Sequence, residues 1–236
     1  MQKTGRQIFK GNIFDKIDNH VMIEEIISTG DSYEFRVCEP KWMRIGSTFT
    51  DTNSYTWNVT SIDYDTKTVI ATRPDVLATL KRFDVILIEM PVFKSGTPIS
   101  VNKEHAMILN SGLTDGNILI WLLETIQGED GLQTETTGGK VDFVFYILFK
   151  IDTINTLNED RHNLGIIQAT QLRYELKRIM DNTNGVSRDS RIAWKEFNLF
   201  GRETTEGIER YILDSNLSGI ECRVTVNFST KLICKC

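Results

Sequence analysis

Cys234-Lys-Cys236 is the pair in this chain whose spacing comes closest to a metal ligand set, because two thiolates can hold a soft cation. A tetrahedral site needs four ligands, and His20, His105 and His162 show no paired spacing that would supply the others. A frayed terminus is the favoured reading of the pair. Glu159-Asp160-Arg161-His162 places an acid and a base side by side. The structural alternative, which we favour, is that these acidic residues complement the positive end of a helix. Asp63 and Asp65 could recruit a cation, yet a turn of their composition needs none. Glu104-His105 lacks the second histidine of a zinc-protease helix. There is no Gly-x4-Gly-Lys-Ser/Thr loop, no strand followed by Gly-x-Gly-x-x-Gly and no Gly-x-Ser-x-Gly elbow. We therefore assign no catalytic, cofactor-binding or metal-binding residue, and expect neither an enzyme nor a cofactor.

Bulk properties narrow the classes that remain. A chain of 236 residues can form one large domain or two small ones, each able to bury a core. Charged residues make up 25% and apolar residues 40%, which excludes a largely disordered chain. The net charge of −5 provides no general attraction to nucleic acid or to anionic membrane. The opening Met1-Gln-Lys-Thr-Gly-Arg-Gln has no apolar core of the kind a secretory leader needs. The longest apolar runs, 85–90 and 143–149, fall far short of a membrane span. We expect a protein made and kept in the cytoplasm, or in an assembly formed there. Cys38, Cys222, Cys234 and Cys236 are too few and too scattered for a disulfide framework.

The elements that would position any site fall into two groups. The first hundred or so residues read as strands joined by turns. Segments 33–38 and 54–62 alternate, and the Asp/Thr-rich turn at 63–67 returns the chain through 68–72 as a hairpin. Segment 83–89 and a partner near 19–28 add two more strands. Together they suggest a small barrel or sandwich of the OB or SH3 type. Such barrels often bind nucleic acid through exposed aromatics set among basic residues. Trp42, between Lys41 and Arg44, and Trp57, aligned with Tyr55, are the candidates. The plainer reading, which we favour, is that Trp57 is core and Trp42 covers one end of the barrel.

Segment 94–98 combines Gly, Pro and small polar residues, and the periodicity lengthens beyond it, so it is the expected domain boundary. Thr114 is a plausible N-cap for a helix over 114–127, with Ile118, Leu119, Leu122, Leu123 and Ile126 as its stripe. The glycine-bearing loop 128–139 leads into 141–151, which is apolar on both faces. A second helix, about 161–181, carries Leu164, Leu172, Leu176, Ile179 and Met180 on one side. Arg161, Arg173, Lys177 and Arg178 lie on or near the other. Strands at 193–200 and 207–213 precede a closing strand, 219–229. It places Ile220, Cys222, Val224, Val226 and Phe228 on one face and Glu221, Arg223, Thr225 and Asn227 on the other. Cys222 accordingly reads as a buried free thiol.

The expected fold class is α+β. A β-rich, OB/SH3-like domain over 1–95 precedes an α+β domain over 96–236 whose mainly antiparallel sheet is flanked by two helices. The order helix, long strand, helix and sheet-closing strands, with the ending Leu213-Asp-Ser-Asn-Leu-Ser-Gly-Ile-Glu-Cys-Arg-Val-Thr-Val-Asn-Phe228, resembles the tail-terminator or tail-completion proteins of tailed bacteriophages. The added β-domain departs from compact terminators and looks more like ring proteins of the necks of crAss-like phages. The resemblance implies a structural virion protein assembled in the host cytoplasm. Its partners would be further copies of itself in a cyclic homo-oligomer and the neighbouring neck, portal or tail rings. DNA would pass transiently through the ring, and no membrane is involved. The alternative function is a nucleic-acid-binding module that uses the N-terminal barrel.

Overall fold

Period-two alternation is realised as a closed barrel. In the computed structural model, which describes residues 5–96, 118–123, 139–150, 165–188, 191–197, 202–205, 208–211 and 217–228, six strands form the N-terminal unit. They are β1 (His20–Ser28), β2 (Ser32–Val37), β3 (Thr48–Thr50), β4 (Thr56–Asp63), β5 (Thr68–Thr72) and β6 (Val85–Ile88). They pair antiparallel around the ring β1-β2-β5-β4-β3-β6, so no strand edge is left open. The interior is aromatic. Phe49 stacks on Trp57 at 6.0 Å, while Tyr33 meets Trp57 edge-on at 5.1 Å and Phe35 meets Phe49 edge-on at 5.8 Å. The buried Asp51 carboxylate accepts from the Trp57 indole at 2.9 Å and from the backbone N–H groups of Asn53 and Tyr55. One carboxylate thus fixes both the β3–β4 turn and the central tryptophan.

A second sheet is built from β7 (Val92–Gly96), β8 (Leu119–Leu123), β9 (Gly139–Lys150), β10 (Val186–Arg188), β11 (Ala193–Phe197) and β14 (Leu217–Phe228). Its order is β10-β14-β9-β8-β7, with β11 also paired to β14. Only β7 and β8 run parallel. β12 (Arg202–Thr205) and β13 (Ile208–Tyr211) form a separate antiparallel pair. Helices α1 (Gly5–Asn12) and α2 (Ile167–Asn182), with a short 3-10 turn at Phe14–Lys16, are the helical elements among the described residues. The α+β class, the barrel and the mainly antiparallel sheet flanked by two helices are as expected, although α1 is not one of the two helices the patterning placed.

The helix expected over 114–127 is a correction. Its described part is strand β8. Ile118, Leu119, Ile120, Trp121 and Leu122 are all buried, an apolar run rather than a stripe. A solid run of this kind suits a strand covered on both faces, and periodicity alone does not separate it from a buried helix. The second helix is present from Ile167 onward and buries Leu172, Leu176, Ile179 and Met180. Leu164 and Arg161 lie outside the described residues.

The long β9–β14 pairing aligns Phe145 with Cys222, Phe143 with Val224 and Val141 with Val226. Both helices lie on this face. Phe9 of α1 approaches Phe143 and Phe145 with centroids 5.2 and 5.3 Å away, and Phe93 of β7 at 6.0 Å. Lys16 reaches from the 3-10 turn to Thr183 at the end of α2, a 3.2 Å hydrogen bond. Helix α1 and the 3-10 turn therefore pack on the second sheet before the chain enters the barrel. Lys94–Gly96, the described part of the expected boundary, belongs to β7, so the chain leaves the barrel at Met90 and Pro91. The buried side chains of the barrel and of the helix-covered sheet face form one continuous cluster.

Gly219 marks a close backbone approach in the long pairing. A Cβ there would stand 2.0 Å from the Ile147 carbonyl oxygen, which is backbone and has no rotamer with which to retreat. Gly219→Ala is expected to destabilise the protein by about 1–3 kcal/mol, in the range of overpacking. Urea denaturation of the variant measures it; an unchanged midpoint would mean that β9 and β14 are less tightly apposed.

Candidate functional site

Among the described candidates, Cys222, Trp42 and Trp57 are turned inward and Asp63 is tied to the backbone. Cys222 is fully buried and not bonded to another cysteine. Burial pushes its thiol up to about 12, against the pull of the Arg173 charge, with Glu221 adding a further push. It is inert at neutral pH. Brief alkylation of the native protein, read by peptide mapping, should modify the half-buried Cys38 and spare Cys222 until denaturant is added; early labelling of Cys222 would contradict this packing. Asp63 closes the β4–β5 turn by accepting from the N–H groups of Asp65 and Thr66 at 2.9 and 3.2 Å. Hydrogen bonds from Thr66 and Asp65 hold its carboxyl below the usual range. The turn is stabilised without a cation.

Trp42 and Trp57 are both buried, and each indole N–H has an acceptor: the Glu89 carbonyl for Trp42 and Asp51 for Trp57, each at 2.9 Å. Neither ring offers a face to a nucleobase. The His20 Nδ1–H donates to the Asp18 carboxylate at 2.7 Å, and Lys41 donates to the same carboxylate at 2.9 Å. Burial opposes ionisation of Asp18 more than any single partner favours it. Lys41 and His20 together outweigh that and bring its carboxyl to about 2. Glu104, His105, the 159–162 cluster, Cys234 and Cys236 lie outside the described residues. Among the described residues no three His, Cys, Asp or Glu side chains converge as a metal site. A cavity beside Trp42, Met43, Glu89 and Ile118 has a volume of about 10 Å³. That is room for roughly one water, not for a substrate.

The junction between the barrel and α2 is polar and closed. The Tyr64 hydroxyl donates to the Met43 carbonyl and is hydrogen-bonded to Gln168 of α2. Burial keeps this phenol protonated well above its usual range, opposed by Gln168 and by the nearby charge of Arg44. Its role is to fix the two sheets relative to each other.

A different kind of feature sits on the opposite side of α2. Arg173, expected near the solvent side of the helix, is only 8% exposed. Its guanidinium lies 4.6 Å from the Trp194 ring centroid and 4.7 Å from that of Tyr174. Both rings are half exposed, at 50% for Trp194 and 53% for Tyr174. The Arg173 Nε is sealed from water with no acceptor. Cross-strand pairing of Trp194 with Cys222 puts the indole on the helix side of the sheet. Residues 193–196 of β11 are exposed, and among the described residues no strand pairs with its outer side. Sequence reasoning missed this cluster because a helical wheel sorts arginine to the polar face. The one legible signal was a tryptophan in a short strand rich in charge.

A second exposed apolar group lies on the barrel wall, where Met22 faces Val85 across β1 and β6, with Leu87 and Phe83 nearby. The chain matches no protein-family model, no curated protein and no solved structure. Among the described residues no helix is long and apolar enough to cross a membrane.

Proposed function

We propose that this chain is a structural subunit of a ring in the neck or upper tail of a tailed bacteriophage, joining the portal to the tail and lining the DNA conduit. The observation that carries the reading is the second sheet, whose two edges differ. Among the described residues β7 ends it on one side, and β10 and β11 flank β14 on the other. A closed ring is a head-to-tail assembly in which each subunit presents two unlike surfaces, and open strand edges supply them with ready hydrogen-bonding groups. The net charge of −5 suits a conduit that must not grip passing DNA. In this reading the subunit assembles in the host cytoplasm and remains in the virion, where its partners are its own copies and the rings above and below.

Cryo-electron microscopy of the parent particle tests the proposal. The chain should appear in rotationally repeated copies around the axis between capsid and tail. Finding it scattered over the capsid, or missing from purified particles, would sink the idea.

A further inference from the structure

We propose that the open β11 edge and the Arg173–Trp194–Tyr174 cluster form a subunit contact in which Arg173 receives a carboxylate from a second copy of this chain. The inference deepens the ring reading and rests on it, by naming one of the two surfaces and the chemistry of its occupant.

Three observations converge. Arg173 is 8% exposed, makes ring contacts only with Trp194 and Tyr174, and its Nε has no acceptor. Enclosing a guanidinium Nε–H without an acceptor is unfavourable, and the two rings satisfy only the faces of the group. A carboxylate is the planar acceptor that takes paired hydrogen bonds from the two terminal nitrogens, which are not among the sealed atoms. Second, Trp194 and Tyr174 leave half their surface in water beside the guanidinium. Trp, Tyr and Arg grouped together are the composition of interface hot spots. Third, the outer side of β11 is unpaired among the described residues, so a neighbouring segment can align along it while one acidic side chain reaches Arg173.

Charge selects the occupant. The chain has 32 Asp and Glu against 27 Lys and Arg, so a second copy offers an excess of carboxylates. The same acidic balance repels a polyanion and argues against a nucleic-acid phosphate as the ligand.

The test uses the full chain with Arg173→Met, which keeps an unbranched apolar stem and removes the charge, Arg173→Lys, which keeps the charge without the planar fork, and Trp194→Ala. Sedimentation across a concentration series reads self-association, thermal melting at low concentration reads the isolated subunit, and negative-stain images read the ring. Arg173→Met and Trp194→Ala should weaken self-association about tenfold or more, as loss of a hot spot does. Arg173→Lys should fall between them and wild type. The isolated Arg173→Met subunit should melt at or above the wild-type temperature, because a sealed donor without an acceptor has been removed.

An Arg173→Met chain that melts lower, or does not fold, assigns the guanidinium to the subunit's own stability and overturns the proposal. Wild-type rings that persist unchanged in Arg173→Met overturn this contact and leave the ring reading standing. A wild-type chain still monomeric at millimolar concentration overturns the self-contact, and the ring reading is then judged on the parent particle. Binding of a single-stranded oligonucleotide that Arg173→Met abolishes, with assembly unaltered, assigns the cluster to phosphate instead.

Discussion

Val224→Asp should unfold the C-terminal sheet. Val224 is 4% exposed and faces Phe143 across the β9–β14 pairing, on the side covered by the helices. A carboxylate there would stand in the apolar cluster between the sheet and the helices. Burying an uncompensated charge is destabilising by about 3–5 kcal/mol. That is a large part of the roughly 5–15 kcal/mol that holds a typical domain together. Arg223→Asp is the matched control, one residue away on the opposite face. Arg223 is exposed and bonded to Glu221, so its replacement should leave the melting curve close to that of wild type. Any effect of the control belongs in assembly. Paired thermal melts decide the matter. Unfolding of Arg223→Asp with survival of Val224→Asp would mean that β14 faces the other way, and the inner set Ile220, Cys222, Val224, Val226 and Phe228 would fall with it.

The barrel and the last strand were legible because their faces differ. β2 buries Tyr33, Phe35 and Val37 and exposes Arg36, and β14 repeats the alternation from Ile220 to Phe228. β8 was misread because both of its faces are covered. Ile120 and Leu122 join the helix side, while Leu119 and Trp121 join a smaller cluster with Leu148 and Leu217. With no polar face there is no period to read. β3 and β10 were missed for another reason. Each is three residues long, less than two full alternations. α1 was missed because eight residues with one apolar pair, Ile8 and Phe9, carry little periodicity, and its position is fixed by tertiary contacts.

The candidate contact surface was less legible than the fold. Arginine is sorted outward by any amphipathic template, and only three-dimensional packing reveals that Trp194, from a strand twenty-one positions later, closes over Arg173. The two tryptophans that did look like a binding platform went the other way. Their indole N–H groups found Asp51 and the Glu89 carbonyl inside the barrel unit. A polar atom on an aromatic ring needs one well-placed acceptor to become core, and that acceptor was distant in sequence for Trp42. Surface chemistry in this protein is therefore decided by which aromatic residues find such partners and which do not.

Phe9→Ala should show whether the barrel and the second sheet unfold together. Phe9 is fully buried and lies within 6.0 Å, centroid to centroid, of Phe93, Phe143 and Phe145. Truncating a phenylalanine in such a position destabilises by about 3–5 kcal/mol through lost contacts and the cavity left behind. The residue comes before the barrel in sequence but packs on the sheet that follows it. The continuous buried cluster and the Tyr64–Gln168 bond join the two units further. Loss of Phe9 should thus weaken both at once. Hydrogen exchange gives the readout: amides in β4 and β5 of the barrel should lose protection to the same degree as amides in β9 and β14 of the sheet. Loss confined to β9 and β14, with the barrel amides as slow as in wild type, would show that the barrel stands as an independent unit and that α1 serves the sheet alone.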